Sequence, residues 1–312
     1  MTDKISVFKS KDKRQLTPEF LAWSSVEGRA ERFRKFADCF ATLPPDIQHF
    51  PIAFGKRFEN VESYQFESAN ATSGPFMQEI LAHPDRLYAD IGAGLRDMVF
   101  ENCLYVEVYP SLTTDVVIEP NSELPFKTAS LDGVGCFAVL EHVREPWKMA
   151  AEMARVVKPG GKIFIDWPFL QPAHGFPSHY YNATRNGLRA LFDSHFDIAR
   201  LTTDGHQGPD YTVQWIVSWL LNAVGDKALR KRLASKTIGE IAAELPQSDF
   251  WRDVLKSLDD KAIETLSCGN SLIGTRKNTP ADAANGEYTE RAVTSVQMLS
   301  RENRPWWRRL FR

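Results

Sequence analysis

Hydrophobic and polar positions change rhythm several times along the chain. After a polar, lysine-rich arm over 1–16, Phe33, Phe36, Ala37 and Phe40 recur at helical spacing. That pattern predicts a helix over ~17–42, stopped by Pro44-Pro45. No period holds from 46 to ~74. A short helix before Ala82 then leads into the apolar run Leu87–Ile91 and a glycine turn. Beyond it, strands are predicted at Leu104–Val108, Asp115–Ile118, Gly133–Leu140, Lys162–Trp167 and Phe196–Thr203. Helices are predicted at Pro146–Val157 and at Asn186–Phe192. The first carries Trp147, Ala150, Ala154 and Val157 on one face and stops at Pro159-Gly160-Gly161; the second is capped by Thr184. Such alternation over ~85–205 predicts a doubly wound α/β fold, a mostly parallel sheet with helices on both faces.

The stretch ~206–262 reads as three helices. In the first, Val213–Val224, the polar residues are Gln214, Ser218 and Asn222, one narrow stripe on an otherwise apolar cylinder. It is too short to cross a bilayer, so it is expected to be deeply buried or covered by a partner. Leu272–Thr275 reads as a last strand. The organisation expected is an N-terminal arm and helical extension (1–74), an α/β core (75–205), a helical insertion serving as lid or interface (206–262), the last strand of the core (263–277) and a flexible tail (278–312).

Composition narrows the class. With 312 residues, 43% hydrophobic and 25% charged, the chain has the makeup of a globular protein with a sizeable core. Lysine plus arginine is 38 and aspartate plus glutamate 40, a net charge of −2. That excludes a strongly basic nucleic-acid binder, and no nucleic-acid partner is expected. The cysteines at 39, 103, 136 and 268 form no C-x-x-C pair and no zinc spacing, so no metal site is read and reduced thiols are expected. The N-terminus is charged and lacks an apolar signal region, so a cytoplasmic location is expected.

Several residues can carry chemistry. Asp90-Ile91-Gly92-Ala93-Gly94 follows an apolar strand, and glycines there let a backbone approach a ligand closely. A dinucleotide loop would want a third glycine at 97, where Asp97 stands. Beside Asp90, a cationic or zwitterionic ligand fits better than a pyrophosphate. Glu107, ending the next strand, either accepts ribose hydroxyls or is a solvated strand end. Glu119, followed by Leu124-Pro125-Phe126, offers a carboxylate and an apolar wall to an adenine. His142 either orients the following helix or faces the ligand. His179 lies in an aromatic loop beyond a strand, where a neutral imidazole could take a hydroxyl proton.

Taken in order, DIGAG, ELPF and the run SLDGVGCFAVLEHVREPWKMAAEMARVVKPGG resemble the class I S-adenosylmethionine-dependent methyltransferases, in the branch with an LPF…LEHV…P-G-G series. The resemblance covers roughly 85–205. It implies a Rossmann-like methyltransferase fold whose 75–205 core binds S-adenosyl-L-methionine. Asp90, Gly92 and Gly94 would then hold the methionine part, Glu107 the ribose and Glu119 the adenine. Phe137 and Ala138, with Glu141 and His142, would line the sulfonium end. The span from His174, HGFPSHYYNATRNGLRALF, is similar to a substrate-side segment of bacterial enzymes of polysaccharide and glycolipid biosynthesis. It implies a glycan or small-molecule acceptor, with His179 and His142 as catalytic candidates.

Only nine residues, Leu95–Cys103, separate DIGAG from the next predicted strand, so the first crossover helix is expected to be stunted. A non-catalytic protein of the same fold, docking a partner or membrane, is the alternative reading. A homodimer through the 206–262 helices is a further expectation. The last twelve residues, Arg301–Arg312, carry five arginines, one glutamate, Trp306, Trp307, Leu310 and Phe311. Such a segment suits weak peripheral contact with an anionic inner membrane surface.

Overall fold

A computed structural model of the chain describes residues 18–43, 49–55, 73–96, 98–174, 178–204 and 207–266. The expected strand at 272–275 and the basic-aromatic end at 301–312 lie outside the described residues. The chain divides into two compact units, Met1–Gln207 and Gly208–Arg312.

In the first unit, α1 (Pro18–Ser24) and α2 (Val26–Lys35) replace the single expected helix. Ser25 divides them: its hydroxyl accepts from Gly28 N at 3.0 Å and starts α2 afresh. Next come β1 (Ile52–Ala53), α3 (Gly74–Ala82), β2 (Tyr88–Ile91), β3 (Cys103–Glu107), β4 (Val116–Val117), β5 (Leu131–Phe137), α4 (Pro146–Val156), β6 (Val157–Asp166) and α5 (Arg185–Phe192). The sheet order is β1-β4-β3-β2-β5-β6, and each pairing is parallel. This is the doubly wound, Rossmann-like α/β architecture expected. β2 and β3 are buried at every position, as strands covered on both faces must be.

Covering of the sheet departs from expectation. No described residue between β2 and β5 is in an α-helix. One face is instead covered from the N-terminal side, where Phe76 and Ile80 of α3 pack against Tyr88, Cys103 and Tyr105. Gly135 of β5 makes room for this layer, since a Cβ there would stand 2.7 Å from the Phe76 ring. α2 is held by charge as well. Arg32 Nη2 lies 2.7 Å from Asp115 Oδ1, with the two side chains 3% and 0% exposed. Arg29 donates to the carbonyls of Ser111 and Leu112. On the other face, Met149, Ala150, Met153 and Val156 of α4 are buried against Ala89, Val134 and Cys136. Trp147, expected on that buried face, is 52% exposed and packs edge-on near Tyr181.

Two strand boundaries also need correction. β6 begins at Val157 and takes in Pro159-Gly160-Gly161, which were expected to be a helix stop. Between Leu131↔Val157 and Gly133↔Lys162 the register jumps, so the extra residues form a bulge on the β6 side. Residues 197–204 form no strand; Phe196 and Ile198 only pack against the core from outside.

The second unit contains five helices among the described residues: α6 (Pro209–Ala223), α7 (Lys227–Ala234), α8 (Ile238–Ala243), α9 (Asp249–Lys256) and α10 (Asp260–Leu266). Its small core is Val224, Leu233, Phe250 and Val254. α6 is not deeply buried: Tyr211, Val213, Ile216 and Val217 are 40–54% exposed. Among the described residues, no helix is long and apolar enough to cross a membrane.

Candidate functional site

From β2 the chain moves to β3 and outward to β4; it then returns to β5 on the other side of β2 and continues to β6. The reversal makes a switch point between the carboxyl ends of β2 and β5, where open α/β sheets take their ligands. The glycine turn leaves β2 at this point, and Phe137-Ala138 leave β5 beside it, one step beyond the Ile91↔Cys136 pair.

Gly92 has φ +69 and Gly94 φ +62. A Cβ on Gly92 would stand 2.2 Å from Val139 Cγ2, so the two loops already touch. Ala138 is held at φ 54, a left-handed conformation uncommon for a residue with a Cβ. Its N–H donates to Asp166 O at 3.0 Å. Glu107 closes the turn from below. Its Oε1 accepts from Gly94 N at 2.9 Å and its Oε2 from Val108 N at 2.6 Å. Each oxygen keeps a further lone pair, enough for two ribose hydroxyls. Burial pushes this carboxyl up to about 7, opposed by the two amide donors and Arg96. Glu119 lies two residues beyond Val117, the strand partner of Glu107, with its side chain against Gly55.

Asp90 differs from expectation. The acid offered to a cationic ligand is instead paired internally: Arg96 Nε donates to Asp90 Oδ2 at 2.8 Å and Nη2 to Oδ1 at 3.1 Å. Both side chains are essentially inaccessible, 1% and 0% exposed. Asp90 therefore anchors the turn rather than presenting charge. Its partner, six residues along, was missed because a lone arginine after a glycine turn carries no pattern. The Arg96 N–H also donates to Thr113 Oγ1 at 3.0 Å, and Ser111 Oγ donates to Gly94 O at 2.9 Å. These contacts tie the turn to the β3–β4 loop.

After β5 a 3-10 turn, Leu140–His142, carries Glu141 and His142. Tyr180 N–H donates to Glu141 O at 2.6 Å, drawing the loop after β6 over this turn. The loop brings His174 and His179 to His142, with ring centroids 4.8–5.4 Å apart. His142 and His179, expected from sequence, thus meet a third histidine that was not singled out. The signal available was three of the seven histidines within 142–179. His179 Nε2 is engaged with Asn182 Oδ1 at 2.7 Å, and its Nδ1 accepts from His174 N at 3.3 Å. A base role for His179 requires displacing that amide. Burial pulls His142 down to about 4, opposed by Ser178 O and reinforced by the other two histidines. Glu141 is fully buried, and that burial pushes its carboxyl up to about 8.

Residues 95–165 match a family model described as a methyltransferase domain. That span includes Glu107, Glu119, Phe137, Ala138, Glu141 and His142, and leaves out the glycine turn, His174 and His179. An uncharacterized methyltransferase of Mycobacterium tuberculosis is 39% identical over 70 residues, 21% of this chain and 28% of that protein. A ubiquinone biosynthesis O-methyltransferase of Xanthomonas oryzae pv. oryzae is 43% identical over 47 residues, 15% of this chain and 20% of the other. The chain thus spans about a quarter of the length of the curated relatives it matches. Among solved structures, the YcgJ protein of Bacillus subtilis is similar with a TM-score of 0.29 and 18% identity, over 47% of this chain and 81% of that one. Phosphoethanolamine N-methyltransferase 2 of Haemonchus contortus, in complex with S-adenosyl-L-methionine, gives 0.30 and 14% identity, over 76% and 54%.

Proposed function

We propose that the chain is an S-adenosylmethionine-dependent methyltransferase acting on an oxygen or nitrogen of a small-molecule acceptor, a sugar or glycolipid intermediate by the resemblance of its 174–192 segment. The observation carrying this reading is the convergence of the glycine turn, Glu107 and the Phe137-Ala138 exit on one switch point. The methyltransferase-domain match over 95–165 supports it.

In this reading Gly92 and Gly94 admit the methionine part of the cofactor, Glu107 accepts the ribose hydroxyls and Glu119 faces the adenine. Asp90 acts through Arg96 as the anchor of the turn. Phe137 and Ala138 border the methyl-bearing sulfur. The bound cofactor supplies an already activated methyl group, so this chain's residues need only align the acceptor in line with it and exclude water. A strong base is optional. The reaction is tested by incubating the protein with isotope-labelled cofactor and fractionated glycans or lipid extracts, and seeking a product heavier by one methyl. Complete failure to bind the cofactor would favour the docking-protein alternative.

Glu107 makes the reading pH-sensitive. Its carboxyl is raised to about 7 when empty, and only the ionised form accepts both hydroxyls without losing an amide donor. Binding therefore favours deprotonation. Affinity for S-adenosylhomocysteine should be about tenfold weaker at pH 6 than on the plateau above pH 8. Glu107→Gln should flatten the profile, and Glu107→Ala should weaken binding by about 1–3 kcal/mol at pH 8. Calorimetry at several pH values checks both. A flat wild-type profile would take Glu107 out of the ribose site.

A further inference from the structure

We propose that His142, His174 and His179 form a zinc-class transition-metal site, completed by Glu141. This does not rest on the methyl-transfer reading. The ligand atoms of the three histidines lie within 4.8 Å of one another, and the rings meet edge to face, at 85°, 88° and 67°, rather than stacked.

The outer hydrogen bonds fix which nitrogen each ring offers. A carbonyl can only accept, so His142 Nδ1, 3.1 Å from Ser178 O, carries the proton and leaves Nε2 with its lone pair. His174 Nδ1, 2.8 Å from Pro172 O, does the same. Asn182 Nδ2 donates to Gln171 O at 3.1 Å, which orients its amide so that Oδ1 faces His179. His179 Nε2 therefore donates to that oxygen at 2.7 Å, leaving Nδ1 as the lone-pair atom. Each imidazole thus gives its N–H outward to an oxygen, which leaves its other nitrogen as the lone-pair atom; in His179 that atom now accepts from His174 N at 3.3 Å. Outward N–H bonds of this kind are the outer-shell arrangement that orients and strengthens histidine metal ligands.

Glu141 supplies the independent observation. It is 0% exposed, and among the described residues no other residue hydrogen-bonds either carboxyl oxygen; the donor acting on it is its own backbone N–H. An unsatisfied buried carboxyl is costly. Its Oε1 stands 3.8 Å from His142 Nε2, the atom already assigned as a ligand. Three imidazole nitrogens and one carboxylate oxygen match the donor set and number that Zn²⁺ takes. With metal–nitrogen bonds of about 2.0–2.1 Å, the rings must draw inward from their present spacing, and His179 must release the His174 amide. A metal so held would pin the loop after β6 onto the turn after β5. No metal-ligand spacing is visible along the chain because 32 positions separate His142 from His174, a gap that only the fold closes.

The test uses the full chain without a histidine tag, stripped with chelator and re-equilibrated with Zn²⁺. Elemental analysis should give about one equivalent, and Co²⁺ should give the visible bands of a four-coordinate site. His174→Ala and His179→Ala should each lose the bound equivalent, while His83→Ala, at the end of α3, retains it. Glu141→Gln should weaken the metal by at least about 10–100-fold, the loss seen when merely a supporting group is altered, because it removes a ligand's charge. Should an alanine variant fail to fold, the wild type decides: Zn²⁺ should raise its thermal midpoint and chelator should reverse the rise. No bound Zn²⁺ and no midpoint shift in the folded wild type, or an unchanged stoichiometry in folded His174→Ala, would overturn the proposal.

Discussion

Gly92→Val is expected to abolish cofactor binding while leaving the sheet folded. Gly92 sits at φ +69, where a β-branched residue pays about 1–2 kcal/mol of backbone strain. Its Cβ would also fall 2.2 Å from Val139 Cγ2, so the two loops framing the switch point must part. The turn would no longer let a ligand approach its backbone, and affinity for S-adenosylhomocysteine should fall by more than about a hundredfold, the loss of roughly 2.7 kcal/mol. Calorimetry measures the affinity and circular dichroism checks the fold. Gly92→Ala, with less bulk at the same φ, should show a smaller loss. A folded Gly92→Val protein that binds within threefold of wild type would remove this turn from the cofactor site.

Arg96→Leu should produce the largest loss of stability. It strips Asp90 of a bidentate partner where neither group reaches water. Leaving one charge of a buried pair uncompensated costs about 3–5 kcal/mol, which urea denaturation would read as a lowered midpoint. The double variant Arg96→Leu with Asp90→Leu should recover part of that loss, because the stranded charge is gone. Equal destabilisation in single and double variants would show that packing, not charge pairing, is what Arg96 supplies.

The parts of the fold legible in sequence were those written in local pattern. β2, β3 and β5 announce themselves as apolar runs, α4 begins at Pro146, and Thr184 caps α5 by accepting from Gly187 N at 3.0 Å. The stunted first crossover followed from counting nine residues after the glycine turn. What the sequence hid depends on distant pairing. β1 is two residues long, too short for any period. The β6 bulge carries Pro159-Gly160-Gly161 into the strand because β5 pairs on either side of them, at Val157 and Lys162. In the candidate site, the glycine turn and Glu107 were readable because their spacing is short. The Asp90–Arg96 pair and the histidine cluster were not, since each depends on which way a side chain turns once the loops have closed.

The edge strand β1 has a consequence for how the protein opens. It pairs with β4 over Ile52↔Val116 and Ala53↔Val117, flanked by Ile52 N–H to Asp115 O at 2.9 Å and Phe54 N–H to Val117 O at 2.8 Å, with Ile52 as its one fully buried side chain. As a two-residue strand at the sheet edge, it should exchange its amides with deuterium through brief local openings, long before those of β3, which are released only when the whole sheet comes apart. Each opening uncovers the unpaired backbone of Val116-Val117, an apolar edge able to recruit an extended strand from another molecule. β1 thereby serves as a removable guard: aggregation of this protein should track detachment of two residues rather than global unfolding.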